Sequence, residues 1–410
     1  MAEKDHCMYF LEKKKRYCRM TLKEGNRYCG EHQGSSFEPD HANETIANKR
    51  IKCPLDPSHT CYQSKLPKHL KICNAKRLSD AQPSFIVKGI NTNKEYETPR
   101  HVPLSELNEL LICTVIEKIN AAYEKLPQFP ESVLMHEMLR EKIDHELCGR
   151  SIRKHMLQTS SLLSHLEHAN LIKDRTCFIE FGAGKGKLTY WLGQIIKDRK
   201  DCCILLIDRS SHRHKSDNKL RRERSPLVIE RIRADIADLK LTDVTQIQNF
   251  PNKVGIAKHL CGAATDLALN CLVQATQTEP KLNVTGLVIA LCCHHKCEYA
   301  SYVGKEFLNQ CGFAPNEFTV LCSIGSWATC GPSLNKQIKN LHSKNDSEDT
   351  RTNVKTLTPE ERETIGRKVK SLLNWGRLEY LKSAGFQCNL IYYTTTDISL
   401  ENMCIIATKI

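Results

Sequence analysis

The 410-residue sequence contains no long hydrophobic run. No stretch approaches the roughly 20 apolar residues that a membrane-spanning helix needs, so we expect no membrane partner. Residues 1–15 are polar and charged, and we therefore expect no signal peptide and a reducing, intracellular location. The sequence does not distinguish the nucleus from the cytoplasm, and it leaves the oligomeric state open.

Two common nucleotide-binding patterns are also missing from the glycine-rich stretch at residues 178–187. Neither the dinucleotide pattern G-x-G-x-x-G nor the phosphate-loop pattern G-x-x-x-x-G-K-[ST] fits it. Instead, Glu180 follows a short apolar run and is succeeded by Gly182, Gly184 and Gly186 and then by a helix-forming stretch. This E-x-G-x-G-x-G turn resembles that of class I methyltransferases, where it holds the methionine part and the ribose of S-adenosylmethionine. The alternative is a glycine-rich turn without a ligand.

Acidic residues follow the next two predicted strands. An apolar run at residues 202–207 ends at Asp208, one strand–helix–strand unit after Glu180. An acid at this strand tip is placed to hold ribose hydroxyls, although a turn or capping aspartate is the alternative. Asp235 follows the predicted strand 227–233, where by position it is expected to accept a hydrogen bond from an adenine amino group. We therefore predict that these acids and the glycine turn bind the cofactor.

Cysteine is abundant, with 21 in the chain. In a reducing compartment these thiols indicate metal sites or buried packing, not disulfides. Two sets follow C-x10-C-x10-C-x2-H and C-x5-H-x9-H-x3-C in segments too short to build a core, which favours two structural zinc ions. The predicted ligands are Cys7, Cys18, Cys29 and His32 in the first set, and Cys53, His59, His69 and Cys73 in the second. Cys61 is expected not to be a ligand, and for any one cysteine the alternative is a buried apolar side chain.

The net charge of +13 is concentrated in two regions. Residues 1–80 carry a net charge of +6, and residues 209–224, predicted to be a loop, carry +5. This clustering favours a polyanionic partner, although charge alone is equally compatible with a solvated surface. Basic and aromatic side chains crowd both predicted fingers, and we expect RNA contacts there. They are Lys13, Lys14, Lys15, Arg16 and Tyr17 in the first finger and Lys65, Lys68 and Lys71 in the second.

The order of the predicted elements indicates an α/β fold, a Rossmann-like class I methyltransferase sheet that ends in an antiparallel hairpin. Predicted helices at 104–126 and 151–169 lead into the sheet, and Thr358, Pro359 and Glu361 predict the start of a long helix. The predicted domains are a CCCH-type finger at 1–36, a CHHC-type finger at 50–76, a linker at 77–103 and the helical lead-in with the methyltransferase domain at 104–410, including a flexible loop at about 333–357.

Candidate catalytic residues follow the fourth and fifth predicted strands. After the strand at 254–257, amino-group methyltransferases typically carry [DNS]-P-P-[YF], whereas this chain has K-H-L-C-G, which argues against methylation of a base nitrogen. His259, His294 and His295 are candidate general bases because imidazole titrates near neutral pH, and Lys258 could stabilise a developing alkoxide. Each histidine has a purely structural alternative.

A third metal site is a competing interpretation of the same region. Its candidate ligands are Cys261, Cys292, Cys293, His294, His295 and Cys297.

Taken together, these motifs resemble those of the eukaryotic tRNA 2′-O-ribose methyltransferase family that modifies the fourth nucleotide of the acceptor stem. The matching stretches are both fingers, E-F-G-A-G-K-G-K-L at 180–188, K-H-L-C-G-A-A-T-D-L-A-L at 258–269, A-L-C-C-H-H at 290–295 and S-W-A-T-C-G at 326–331. The resemblance implies S-adenosylmethionine as donor and tRNA as acceptor. The Lys-Asp-Lys-Glu tetrad of other ribose methyltransferases finds no match, so the catalytic base is not identified.

Two other functions remain open from the sequence. One is a zinc-finger RNA-binding protein with an inactive methyltransferase fold, which the intact Glu180, glycines and acids argue against. The other is a methyltransferase that acts on a different RNA or on a protein.

Overall fold

The computed structural model divides the chain into two compact units, Met1–Pro83 and Ser84–Ile410. It describes residues 6–12, 16–22, 27–29, 32, 50–55, 59–73, 83–92, 102–145, 149–212, 216–223, 227–279, 282–329, 354 and 356–409. The polar loop predicted at about 333–357 lies largely outside these ranges. The predicted RNA-contacting residues Lys13, Lys14 and Lys15 lie wholly outside them. No helix within the described ranges has the length and apolar character to cross a membrane.

The N-terminal unit consists of short hairpins. Strands β1 (Phe10–Leu11) and β2 (Arg16–Tyr17) form one antiparallel pair, and β3 (Arg50–Lys52) and β4 (Thr60–Tyr62) form another, which is followed by helix α1 (Leu66–Ile72). The most buried apolar side chains of this unit are its cysteines, such as Cys7 and Cys53, each 1% exposed. With so small an apolar core, this unit needs another source of folding free energy.

The second unit is built on a seven-stranded sheet in the order β10-β11-β9-β8-β5-β6-β7. Strands β5 to β9 pair in parallel, whereas β11 pairs antiparallel with both β9 and β10. The strands are β5 (Thr176–Phe181), β6 (Cys203–Asp208), β7 (Val228–Arg233), β8 (Asn252–Cys261), β9 (Val284–Cys292), β10 (Phe386–Tyr392) and β11 (Met403–Lys409). The predicted α/β sheet with a terminal antiparallel hairpin is therefore confirmed.

Helices cover both faces of this sheet, which explains why β5 is buried along its whole length. Helices α3, α4 and α5 pack on one face, and α8 with the end of α11 packs on the other. The helices are α2 (Glu109–Tyr123), α3 (Glu137–Asp144), α4 (Arg150–His168), α5 (Lys187–Ile195), α6 (Asp217–Arg222), α7 (Thr245–Gln248), α8 (Ala263–Thr278), α9 (Lys305–Gln310), α10 (Phe318–Gly325) and α11 (Pro359–Ser383).

The predicted start of α11 is confirmed in detail. The Thr358 hydroxyl accepts the Glu361 N–H at 3.1 Å, and the Glu361 carboxylate accepts the Thr358 N–H at 2.7 Å. This reciprocal pair satisfies two amides that a helix start otherwise leaves without partners.

Two predicted boundaries differ from the structure. Within the predicted linker, residues 84–92 pack on the sheet domain: the Val87 N–H donates to the Asp238 carbonyl at 2.7 Å, and the Asn91 side chain donates to the Leu239 carbonyl at 2.7 Å. Strand β8 continues beyond the predicted strand at 254–257 and ends at Cys261, after a register irregularity between Ala257 and Leu260. The irregularity lets β8 stay paired to β9 although its apolar run has ended.

A buried ion pair connects the helices at the carboxyl ends of β8 and β9. Arg377 on α11 donates to both carboxylate oxygens of Asp266 on α8, at 3.0 and 2.7 Å, and both side chains are 0% exposed. Arg377 also donates to Asn374 Oδ1 at 3.0 Å and to Cys297 Sγ at 3.0 Å. Since both charges are fully desolvated, removing either partner leaves an uncompensated buried charge.

We predict that Arg377→Met lowers the free energy of unfolding by about 3–5 kcal/mol, because Asp266 remains buried without its partner. The matched control is Arg140→Met, which removes an exposed ion pair to Glu137 and should cost less than about 1 kcal/mol. Urea denaturation of the full chain measures both. Equal effects of the two substitutions would contradict a structural role for the buried pair.

Candidate active site

The glycine turn between β5 and α5 has the backbone that its sequence predicts. Gly182, Gly184 and Gly186 have φ angles of 63°, 51° and 72°, a region that side chains disfavour. A Cβ on Gly186 would also lie 2.9 Å from the Asp217 carboxylate and 3.0 Å from the Arg231 guanidinium. By contrast, a Cβ on Gly184 would meet only the Gly182 carbonyl oxygen, at 3.9 Å. The turn is thus packed on one side and open on the other.

Asp208 at the end of β6 holds this turn. Its Oδ2 atom accepts the Gly184 N–H at 2.7 Å, and its Oδ1 atom accepts the Ser210 N–H at 2.7 Å and lies 3.3 Å from His212 Nε2. Burial acts to raise the pKa of Asp208, but these hydrogen bonds outweigh it and lower the pKa. The carboxylate is therefore ionised at neutral pH and remains beside the open side of the turn.

Glu180 supports the turn from the buried side. Its carboxylate accepts hydrogen bonds from the backbone N–H, at 3.0 Å, and the hydroxyl of Thr189 in the first turns of α5, and Glu180 is only 4% exposed. Burial raises the pKa of Glu180 to about 7 despite these bonds. Glu180 was predicted to contact the cofactor directly. In the structure its carboxylate is instead bonded to Thr189 and holds the start of α5 in position.

Asp217 and Arg231 are functional residues that the sequence analysis missed. Asp217, 1% exposed, accepts from Arg231 at 2.8 and 3.1 Å, and Arg231 donates also to the Gly184 carbonyl at 3.1 Å. The stretch 209–224 was predicted as a basic loop, yet within the described residues 216–223 it forms α6. The stretch contains only two acids, Asp217 and Glu223, and an acid in so basic a stretch was the available signal for a buried partner.

Asp235 lies just beyond β7, and its two carboxylate oxygens have different surroundings. Its Oδ1 atom accepts the Ala237 N–H at 3.1 Å and so caps a short 3-10 turn. Its Oδ2 atom is 3.9 Å from Arg209, and the side chain is 41% exposed. One oxygen therefore serves the turn while the other faces the solvent at the carboxyl edge of the sheet.

A cleft of about 570 Å³ lies between β8 and helix α4. His259 lines this cleft, and its backbone carbonyl oxygen lies 3.6 Å from the position of a Cβ on Gly182. Its polar lining comprises Arg150, Ser151, Lys154, His155, Gln158, His259 and Ser399. The α4 residues were not predicted as part of the site, because only the fold brings that helix beside β8.

Lys258 and His259, near the end of β8, both contact His155 on α4. The Lys258 ammonium donates to the His155 carbonyl at 3.0 Å, and the His155 and His259 rings meet edge to face at 5.9 Å. Desolvation, together with the charge of Lys187, lowers the pKa of Lys258 to about 8. Desolvation and the charges of Lys258 and His155 lower the pKa of His259 to about 4, so His259 is neutral at neutral pH.

The predicted catalytic base His294 is buried beside α11. His294 is 2% exposed, and its Nε2–H donates to Asn374 Oδ1 at 2.7 Å. Burial and the charges of Arg377 and Lys370 lower the pKa of His294 far below its ordinary value. This imidazole lies beside α11 side chains and does not line the cleft that contains His259. His295 is half-buried and does not line the cleft.

Of the six candidate ligands of the third metal site, the structure brings together three cysteines. Cys261, Cys292 and Cys293 place their sulfur atoms within 4.8 Å of one another. His294 faces Asn374 instead, and Cys297 Sγ accepts from Arg377 at 3.0 Å. The predicted six-residue set therefore does not converge, whereas three thiols at the ends of β8 and β9 do.

The first predicted zinc site is assembled as expected. The ligand atoms of Cys7, Cys18, Cys29 and His32 all lie within 4.8 Å of one another. The Tyr9 ring stacks on the His32 ring at 4.0 Å and so orients the imidazole. Burial tends to raise the pKa of Cys7, but hydrogen bonds from Cys29, Tyr9 and His32 lower it to about 7, which favours the thiolate that zinc binds.

The second zinc site is equally compact. Cys53 Sγ and Cys73 Sγ are 3.8 Å apart, His59 Nε2 and His69 Nε2 are 3.2 Å apart, and His69 Nε2 lies 3.2 Å from Cys53 Sγ. Hairpin β3–β4 supplies the first two ligands, and α1 with its C-terminal residue supplies the others. Cys61 is buried but lies outside the cluster, as predicted. Both donor sets fit tetrahedral zinc.

The strand order, the glycine turn and the acids at the ends of β6 and β7 define a class I methyltransferase. A family model described as Methyltransferase TRM13 matches residues 157–408, the CCCH zinc finger in TRM13 protein matches 5–33, and the U11-48K-like CHHC zinc finger matches 50–74. The chain belongs to the TRM13 methyltransferase family. Its predicted zinc-finger and methyltransferase character is thereby confirmed.

Curated relatives match along nearly the whole chain. The mouse "tRNA:m(4)X modification enzyme TRM13 homolog" is 37% identical over 98% of this chain and 94% of its own length, and the human homolog is 36% identical with the same coverage. Among solved structures, the plantazolicin methyltransferase BpumL aligns with 74% of this chain and 100% of its own, at 11% identity and a TM-score of 0.31. That likeness is too distant to support an argument, and the fold assignment depends on the strand order.

Proposed function

We propose that this chain transfers a methyl group from S-adenosylmethionine to the ribose 2′-hydroxyl of nucleotide 4 in the tRNA acceptor stem. The observation that carries the proposal is the cleft lined by His259, whose backbone carbonyl oxygen lies 3.6 Å from the position of a Cβ on Gly182 in the glycine turn. The relatives' names, tRNA:m(4)X modification enzyme, support the tRNA substrate and the target position. The intact turn and acids favour an active enzyme over an inactive RNA-binding fold.

The carboxyl edge of the sheet fits the donor. Bound S-adenosylmethionine supplies an electrophilic methyl group. The open side of the Gly184 turn leaves room for close approach of the ligand, and the ionised Asp208 carboxylate retains lone pairs for ribose hydroxyls. The solvent-facing oxygen of Asp235 is the acceptor we assign to the adenine amino group. Glu180 holds the start of α5, which follows the turn. Asp217 holds Arg231, which donates to the Gly184 carbonyl in the turn.

The cleft fits a ribose acceptor with its flanking phosphates. Arg150 and Lys154 supply positive charge on α4, and the exposed, neutral His259 can accept the 2′-hydroxyl proton. The Lys258 ammonium then stabilises the developing alkoxide. The absence of [DNS]-P-P-[YF] after β8 favours this oxygen acceptor over a base nitrogen.

The reaction is tested with labelled S-adenosylmethionine and unmodified tRNA. We expect label in a single alkali-resistant linkage at nucleotide 4, because 2′-O-methylation removes the hydroxyl that alkaline cleavage requires. Asp208→Ala should abolish labelling at the same donor concentration while tRNA affinity is unchanged. Label found on a base, or on a linkage outside the acceptor stem, would overturn the proposed reaction.

The proton-transfer roles predict a defined pH profile. Since the pKa of His259 is about 4 and that of Lys258 about 8, kcat/KM for tRNA should be level from about pH 5 and decline above about pH 8, as the ammonium loses its proton. Lys258→Arg should move the decline to higher pH. His259→Ala should lower kcat by about 10²- to 10⁴-fold, whereas the exposed His168→Ala, outside the cleft, should not. An unchanged kcat in His259→Ala would reject its role.

The fingers are proposed to contact the same tRNA. Phe10 and Tyr17 on β1 and β2 are 46% and 63% exposed, and their rings meet edge to face at 5.2 Å beside Arg16. In the second finger, the Tyr62 ring lies 5.0 Å from the Arg50 guanidinium. Exposed aromatic rings beside guanidinium groups suit unstacked bases and phosphates.

Tyr17→Ala should weaken tRNA binding by about 1–3 kcal/mol, roughly 5- to 150-fold, because a stacking ring is lost. Tyr17→Phe keeps the ring and should bind normally. Fluorescence anisotropy with labelled, unmodified tRNA measures both, and zinc content confirms that the finger remains folded. Equal affinities of Tyr17→Ala and the parent chain would assign this surface to another partner.

We also propose that the activity belongs to a reducing, intracellular compartment. Both predicted zinc sites need their cysteines as reduced thiols, which supports that proposal.

A further inference from the structure

Three thiols meet at the carboxyl ends of β8 and β9, outside both zinc fingers. Cys261 ends β8, Cys292 ends β9, and Cys293 follows directly. Cys261 Sγ lies 3.7 Å from Cys292 Sγ and 3.3 Å from Cys293 Sγ. Cys261 is exposed and Cys293 half-buried, so the cluster opens to solvent. Neither the proposed methyl transfer nor the finger matches use these residues.

The sulfur separations are those of a shared metal ion. With a Zn–S bond of about 2.3 Å and tetrahedral angles, two thiolates on one zinc ion lie about 3.8 Å apart. The second finger provides an internal standard, since its Cys53 and Cys73 sulfurs are 3.8 Å apart. The cluster distances of 3.3 and 3.7 Å are close to this value. The thiols thus need only a small adjustment to share an ion.

The backbone around the cluster is built to keep the thiols together. Cys293 has a φ of 53°, a left-handed conformation that a non-glycine residue rarely adopts, and its N–H donates to Glu401 at 3.0 Å. Gly262, with a φ of 55°, lets the turn after β8 press against the turn after β9, where a Cβ would lie 2.3 Å from the Lys296 carbonyl oxygen. A strained conformation retained beside convergent ligands indicates a functional constraint.

We propose that Cys261, Cys292 and Cys293 bind a third metal ion, Zn²⁺, through their three thiolates. Thiolate ligands select zinc over hard cations. Among the described residues, this group includes no fourth Cys, His, Asp or Glu ligand, so a water molecule or a substrate atom completes the coordination. The nearby Lys296 offsets part of the negative charge of three thiolates around a divalent ion.

The position of this ion connects it to the cleft. His259 and Cys261 are exposed and lie on either side of the buried Leu260 along β8, so both side chains emerge on one side of the strand. The metal therefore braces the strand end that carries His259 and fixes it to β9. This inference does not depend on the proposed reaction, because metal content alone tests it.

The experiment measures metal content of the full chain, expressed with zinc and purified under reducing conditions, by inductively coupled plasma mass spectrometry. We expect three zinc ions per chain in the parent protein and two in Cys261→Ser and Cys293→Ser. The matched control, Cys311→Ser, alters a half-buried cysteine outside the cluster and should retain three. Replacement by Co²⁺ should show weaker thiolate-to-metal absorbance in Cys261→Ser than in Cys311→Ser.

A second variant separates metal loss from misfolding. Cys293→Gly removes one ligand but suits the positive φ, so it should lose one zinc ion and melt at the temperature of Cys261→Ser, which keeps the same two finger zinc ions. Two zinc ions in the parent chain, three in Cys293→Gly, or iron in place of the third zinc would overturn the proposal. A disulfide between two of these cysteines in the reduced preparation would also overturn it.

Discussion

The buried ion pair between Arg377 and Asp266 is the interaction on which the carboxyl edge of the sheet depends. Asp266 lies in the first turns of α8, directly after β8, and Arg377 lies on α11. Through Asn374, the same network holds His294, the second residue after β9. One desolvated pair therefore fixes the ends of two neighbouring strands. Those strand ends carry both His259 and the three-thiol cluster.

The donor side of the edge is fixed by a different means. There, the backbone of the glycine turn is held by carboxylates and a guanidinium: Asp208 binds the Gly184 N–H, and Arg231 binds the Gly184 carbonyl. A turn held at both its donor and its acceptor groups is preorganised for a ligand. The glycine turn follows β5, which is paired with β8 where the strand order reverses, and this is the point at which an open α/β sheet binds its ligands.

The sequence predicted features whose determinants lie close together in the chain. The zinc ligands, the glycine turn and the Thr358 cap depend on spacing within short segments, and all were found in the structure. The α/β class of the sheet followed from the alternation of strands and helices. What could not be predicted is the environment of single side chains that depends on distant segments. His294 was predicted as a catalytic base because the sequence does not show that it is buried against Asn374, 80 residues later in the chain.

The same limit explains the residues that were missed. His155 joins the cleft only because α4 packs beside β8, and Asp217 pairs with an arginine on a neighbouring strand. The extension of β8 to Cys261 could not be predicted because the end of the strand lacks the apolar run that indicates one. Its pairing with β9 nevertheless continues to Cys261. In each case tertiary contacts override the local pattern.

The most direct measurement uses a tRNA that carries a 2′-deoxynucleotide at position 4. If the ribose hydroxyl at that position is the methyl acceptor, the chain will bind this tRNA and S-adenosylmethionine as tightly as it binds the unmodified substrates, yet transfer no methyl group. Methylation of the deoxy substrate at the rate seen with normal tRNA would contradict the assignment of the cleft to a ribose hydroxyl.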